Sequence, residues 1–241
     1  MSFWLALDTA TALGSVALGT PGDVIVETTL VGRRQAAGLL PAIEHVLKQT
    51  GGRYEDLAGI VMADGPGSFT GLRVGFATAQ GLLRRLDGRS FGRAPALMSA
   101  AWIGARFCDG PVAAVFDALR GEVFAAVYRF GPDGVEILLP PTLTTPASLV
   151  EWAIPAVAAV GDGAARHSDT ISAWIGRMPV GPPWGAPRAG ALLELLNVPG
   201  AVEAVLEPFA VEPTYGRAAA AQSRWEERHG RPLPDTPGNA R

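Results

Sequence analysis

Two stretches of this chain, about half its length apart, follow one plan. Phe3 to Leu7 is an apolar run ending in Asp8, followed by Thr9-Ala10-Thr11 and a second run from Gly14 to Leu18. The turn Pro21-Gly22-Asp23 and a β-branched third run from Val24 to Leu30 complete the unit. Later, Val112 to Phe116 ends in Asp117, and Ala118-Leu119-Arg120-Gly121 leads into a run from Glu122 to Tyr128. Pro132-Asp133-Gly134 and Val135 to Leu139 follow. Each stretch reads as a three-stranded antiparallel meander. Chance likeness of two hairpins is the simpler explanation, but aspartate, turn and third strand recur together. A period this long argues duplication of one α/β unit, because solenoid repeats run about 20–50 residues.

Between the meanders the period changes from strand to helix. Gln35 to Gln49 places Ala36, Leu39, Leu40, Ile43, Val46 and Leu47 at the spacing of one buried helical face, with Gly51-Gly52 closing it. Pro41 within it should bend the helix or mark its start. The apolar run Leu57 to Ala63 then enters Asp64-Gly65-Pro66-Gly67-Ser68-Phe69-Thr70-Gly71-Leu72-Arg73-Val74-Gly75, and a helical pattern over 70–86 leads out. A strand, a glycine turn and a helix start can hold an anion, with Ser68 or Thr70 as the cap. The loop lacks the lysine of a P-loop, however, and runs Gly65-x-Gly67-x-x-x-Gly71, one residue longer than the dinucleotide fingerprint. Phe91 to Ala94 reads as a strand and Ala96 to Arg106 as a helix. The second half is proline-rich and weaker. It suggests a short helix within 142–152, a strand at 156–160 with the loop Gly161-Asp162-Gly163, a helix over 189–196 and an extended stretch over 208–215. A terminal helix over 217–228 and a disordered tail over 229–241 complete the expectation.

The 241 residues have ample length to bury a core, and a net charge of −3 gives no basic footprint for autonomous nucleic-acid binding. A single cysteine, Cys108, excludes an internal disulfide framework. The N-terminus has no basic region before its apolar run, no stretch is long enough to span a bilayer, and the chain reads as cytoplasmic.

Site chemistry narrows quickly. His45, His167 and His229 have no second histidine at i+4, so no metal site is expected. Ser68 has no nearby histidine and no Gly-x-Ser-x-Gly elbow, so it reads as a helix cap, not a nucleophile. Asp8 and Asp117 remain. An acid at a strand end, facing its duplicate across a cleft, is how actin-like ATPases and sugar kinases hold a magnesium–nucleotide. Neither aspartate is followed by the Asp-x-Gly form that allows closest phosphate approach, and Leu119 should crowd a phosphate. Nucleotide binding at Asp8, Thr9 and Asp117 is therefore expected to be weak.

These residues resemble the TsaB family, formerly YeaZ. The resemblance is carried by Leu5 to Thr11 with Ser15-Val16-Ala17, by Leu39-Leu40-Pro41-Ala42-Ile43, and most specifically by Gly65, Pro66, Gly67, Ser68, Phe69, Thr70 and Gly71 through Gly75. Asp117 to Phe124 and Glu212-Pro213-Thr214-Tyr215-Gly216-Arg217 extend it over nearly the whole chain. Family members commonly place a histidine just before the Leu-Leu-Pro helix, where Gln35 or a neighbour stands here. The resemblance implies an actin/Hsp70/acetate-kinase-like (ribonuclease H-like) fold with two duplicated lobes: 1–108, joined by helix 217–228, and 109–216. It also implies a non-catalytic role beside the paralogue TsaD, with the ATPase TsaE, in forming N6-threonylcarbamoyladenosine at A37 of ANN-decoding tRNAs. No cofactor would be bound tightly, although ATP or ADP with magnesium could sit at the complex interface, and tRNA would be met only through the complex. The partner face, also the homodimer face when alone, would be helices 35–49 and 70–86, offering Leu40, Ile43, Arg73, Gly75, Phe76 and Ala79, with Gly81. An active small-molecule kinase or peptidase of the same fold is the alternative. Arg33-Arg34, Arg84-Arg85, Arg89 and Arg93 could add to a joint basic surface.

Overall fold

A computed structural model describes residues 2–31, 35–86 and 88–216. The terminal helix over 217–228, the tail over 229–241, Arg33-Arg34 and the side chain of Gln35 lie outside the described residues.

The first meander forms as β1 (Phe3–Asp8), β2 (Leu13–Thr20) and β3 (Asp23–Val31), followed by α1 (Gln35–Thr50), β4 (Leu57–Ala63), α2 (Phe69–Arg85), β5 (Ser90–Ala94) and α3 (Ala96–Ala105). The second forms as β6 (Val112–Asp117), β7 (Val123–Gly131) and β8 (Gly134–Thr144), followed by α4 (Pro146–Glu151), β9 (Ala158–Val160), α5 (Asp162–Arg166), α6 (Ser168–Ile175), α7 (Ala189–Leu195) and β10 (Glu203–Ala204). The two sheets run β3-β2-β1-β4-β5-β10 and β8-β7-β6-β9. In each, the aspartate-bearing strand has its antiparallel hairpin partner on one side and a parallel strand on the other. The duplication is therefore structural as well as sequential.

Alternation along the strands builds five layers. Leu5 and Leu7 of β1 point outward and pack with Leu39, Ile43 and Val46 of α1 and Phe76, Ala79 and Leu83 of α2. Ala6 points the other way, into a central layer shared with α3, α7 and the inner face of the second sheet, including Phe116, Ala126 and Tyr128. The outer face of that sheet, Ala113, Val115 and Val127, packs with Leu149 of α4 and Ile171 of α6. Helix α3 is apolar almost all round because it lies between two sheets, as the pattern of such a helix requires.

Elements on both sides of the expected division at 108 meet in that central layer. Helix α7 covers β1 and β2 of the first sheet, and β10 extends that sheet beyond β5. Conversely, α3 packs chiefly on β6 and β7. The two sheets exchange helices because each has one bare apolar face toward the centre.

Other expectations change locally. Helix α1 continues through Pro41, so the proline does not start it, and it stands on the exposed side. The expected loop Gly161-Asp162-Gly163 is the start of α5, with Gly161 at its N-cap, and neither α6 nor β10 was expected from the sequence. Strand β8 runs through Pro140-Pro141, which is tolerated because β8 is an edge strand paired only with β7.

Candidate functional site

The glycine loop after β4 lies directly on the turn after β1. The Ser68 amide donates to the Ala10 carbonyl at 2.7 Å. A side chain at Gly67 would strike that same carbonyl, one at Gly71 the Thr9 carbonyl, and one at Gly75 the Thr9 hydroxyl. Gly65, at φ +117°, has the Thr214 carbonyl in the space a Cβ would fill. The glycines are thus required by backbone meeting backbone, and the loop that resembles a phosphate cradle is filled by the protein's own residues 9 and 10. Ser68, not Thr70, caps α2: its hydroxyl accepts from the Gly71 amide at 3.2 Å.

Beneath that seal, Asp8 and Thr9 are buried. Asp8 Oδ1 accepts from the Ala10 amide at 3.0 Å. Asp8 Oδ2 and the Thr9 hydroxyl have no hydrogen-bond partner. Burial, opposed by the Ala10 bond and reinforced by nearby Glu27, lifts the Asp8 carboxyl from 3.8 to about 7. A carboxyl in that state, behind a packed turn, is poorly suited to hold a metal–phosphate.

Asp117 has different company. Its Oδ2 accepts from Arg166 at 3.0 Å, its Oδ1 from the Leu119 amide at 3.1 Å, and its own amide donates to Asp162 at 3.0 Å. Alternation from Ala113 and Val115 puts Asp117 on the outer side of its sheet, whereas alternation from Ala6 puts Asp8 on the inner side of the other. The expected pairing of the two acids across a cleft is corrected. A one-residue offset between equivalent strands flips the side chain to the other face. Leu119 is exposed, in a left-handed turn with φ 65°. Among the described residues no group of three or more His, Cys, Asp or Glu is arranged to hold a metal ion.

The residues expected at the partner face divide between core and surface. Ile43, Phe76 and Ala79 belong to the chain's own outer core, and Gly75 faces Thr9. Leu40, at 51% exposure, and Arg73 are on the surface. The exposed side of α2 carries Thr70, Arg73, Ala77, Gly81 and Arg84. Of the arginines named above, Arg93 donates twice to Glu203 and lies 3.7 Å from the Asp64 carboxylate, Arg85 pairs with Glu55, and Arg89 donates to the Glu55 carbonyl.

The stretch expected to be extended over 208–215 is a strap laid along α2, a placement that sequence reasoning did not locate. Gln80 donates to the carbonyls of Pro208 and Val211 at 2.8 and 3.2 Å. The Arg73 guanidinium donates to the Tyr215 hydroxyl at 3.0 Å and lies 4.3 Å from the Phe69 ring centre, while the Phe69 and Tyr215 rings pack in a tilted arrangement with centres 4.6 Å apart. Thr214 donates from its amide to the Asp64 carbonyl at 2.8 Å and from its hydroxyl to the Asp64 carboxylate at 3.3 Å. Burial raises the Asp64 carboxyl, opposed by Arg93 and by the Thr214 bond. Pro213-Thr214-Tyr215 was visible as a motif, but nothing local tells which helix it closes on.

A duplicated sheet of this strand order, with helical layers on both sides and its loop–helix junction sealed against the first strand, is an actin/Hsp70-like protein in fold. The family model for TsaD, tRNA N6-adenosine threonylcarbamoyltransferase, matches residues 27–176. A Pseudomonas aeruginosa structure described as similar to peptidase YEAZ superposes at TM-score 0.73 with 30% identity, over 90% of this chain and 100% of that one. YeaZ from Pseudomonas aeruginosa superposes at TM-score 0.66 with 28% identity, over 81% and 91% of the two chains. The tRNA threonylcarbamoyladenosine biosynthesis protein TsaB of Escherichia coli is 34% identical over 131 residues, 54% of this chain and 57% of its own length. That of Bacillus subtilis is 33% identical over 137 residues, 56% and 59%. The chain thus spans less than two thirds of the curated relatives it matches. It belongs to the TsaB (YeaZ) family.

Proposed function

We propose that this chain serves N6-threonylcarbamoyladenosine synthesis as a non-catalytic subunit that binds and supports a TsaD-type transferase. The observation that carries the proposal is the seal over Asp8: Gly67, Gly71 and Gly75 pack on Thr9 and Ala10, where an actin-like enzyme would need open space for phosphate. The chain then acts through contact. Its proposed surface is the exposed side of α1 and α2, with Leu40, Arg73, Ala77, Gly81 and Arg84, used for the transferase and, in its absence, for a second copy. TsaE joins that pair, tRNA is met through the assembly, and ATP or ADP with magnesium belongs to the joint interface. The assembly works in the cytoplasm. Size-exclusion chromatography with the cognate TsaD, with and without ATP, tests this. A stable complex that forms with TsaD, together with no ATP turnover by the isolated chain, is the expected result. ATP turnover by the isolated chain that is lost in Asp117→Ala would overturn it in favour of a kinase-like enzyme.

A further inference from the structure

Asp8 stands in a polar row beneath the start of α7. It is opposite Ser15 on β2, and Ser15 is opposite Thr29 on β3, two residues from Glu27 on the same face. Ser15 and Glu27 hold the end of α7: the Ser15 hydroxyl accepts from the Ala189 amide at 2.8 Å and Glu27 from the Gly190 amide at 3.0 Å. Arg188, the cation of this neighbourhood, is paired with Glu27. From the remaining elements, β2 and α3 contain no titratable residue, the α2 arginines are on its exposed side, and Asp64 at the end of β4 is held by Arg93 and Thr214. Asp8 is fully buried, with one oxygen on a single amide and the other on nothing. Ionised, it would be an uncompensated anion beside a second anion, which a buried site disfavours strongly.

We propose that Asp8 is held as the neutral carboxylic acid, and that its ionisation loosens the seat of α7 on the first sheet, so that the junction of the two sheets responds to pH above the usual carboxylate range. The direction of the raised carboxyl agrees with this geometry. The sign follows from linkage. With the folded value raised, the folded state holds a proton that the unfolded chain has lost between about pH 4 and about pH 7. The stabilisation is complete below the unfolded value and is lost as pH rises through the folded one, and the unfolding constant changes by up to about tenfold per pH unit between them.

The test compares the full chain with Asp8→Asn, which copies the shape of the neutral acid. Denaturation across this pH span should show the difference between the two stability curves narrowing or reversing in favour of the variant as pH rises. Hydrogen exchange at the Ala189 and Gly190 amides should accelerate above neutrality in the wild type beyond the intrinsic rate, and not in the variant. If the variant does not fold, the carboxyl-carbon chemical shift of Asp8 in the wild type gives the answer alone, with a midpoint near 7 expected. Parallel stability curves, a midpoint near 4, or exchange at 189 and 190 indifferent to pH would each overturn the proposal.

Discussion

Gly71 and Gly75 show what one missing side chain does here. Both lie in the first turns of α2, where the glycine stretch that reads from sequence as an anion cradle ends, and both face Thr9 in the structure. Gly71→Ala pushes a methyl into the Thr9 carbonyl, a backbone atom that cannot swing away. A loss of about 3 kcal/mol is expected from overpacking, measured by chemical denaturation. Ala79 gives the complementary case. It is at 0% exposure between β-sheet and helix, so Ala79→Asp should unfold the outer layer, costing about 3 kcal/mol or more through an unpaired buried charge. Any loss of partner binding in that variant would follow from the lost fold, which circular dichroism would reveal. A folded Ala79→Asp would contradict the packing described.

At the scale of elements, α2 is organised from both ends. Ser68 caps its start, and Ser68→Ala should lower stability by about 1 kcal/mol. The strap over 208–216 fixes its flank through Tyr215, Thr214 and Gln80. Tyr215→Ala should therefore speed hydrogen exchange in the first turns of α2 more than in α1, while Tyr215→Phe, which keeps the ring packing on Phe69, should restore most of the protection. These elements also show what sequence can and cannot reveal. The meanders, α1, α2 and α3 were legible because alternation and helical spacing are local and strong. Strand β10 was not, since two residues carry no period, and α6 was hidden behind a histidine–serine start without a side-chain cap. The partners of the strap and of α7 depend on which bare face each covers, which is decided by the whole fold. The same holds for the site. Asp8 and Asp117 were found correctly as recurrent strand-end acids, but a one-residue offset of facing separated them.

At the scale of the molecule, two duplicated sheets share a central helical layer, and the place where an actin-like enzyme opens toward phosphate is closed by the chain's own backbone. On the proposed function, the chain works through its surface. Gly81 separates folding from contact cleanly, because a Cβ there meets nothing within 4 Å and the position is on the exposed side of α2. Replacing glycine in an exposed helix interior should add about 0.5–1 kcal/mol of stability. Titration calorimetry of Gly81→Arg against the cognate TsaD, alongside thermal melts, is the most direct measurement. The expected result is a melting temperature equal to or above wild type with affinity for TsaD reduced at least about tenfold, a difference of about 1.4 kcal/mol. Full-strength binding by Gly81→Arg would contradict the assignment of the α1/α2 surface as the working face of this protein.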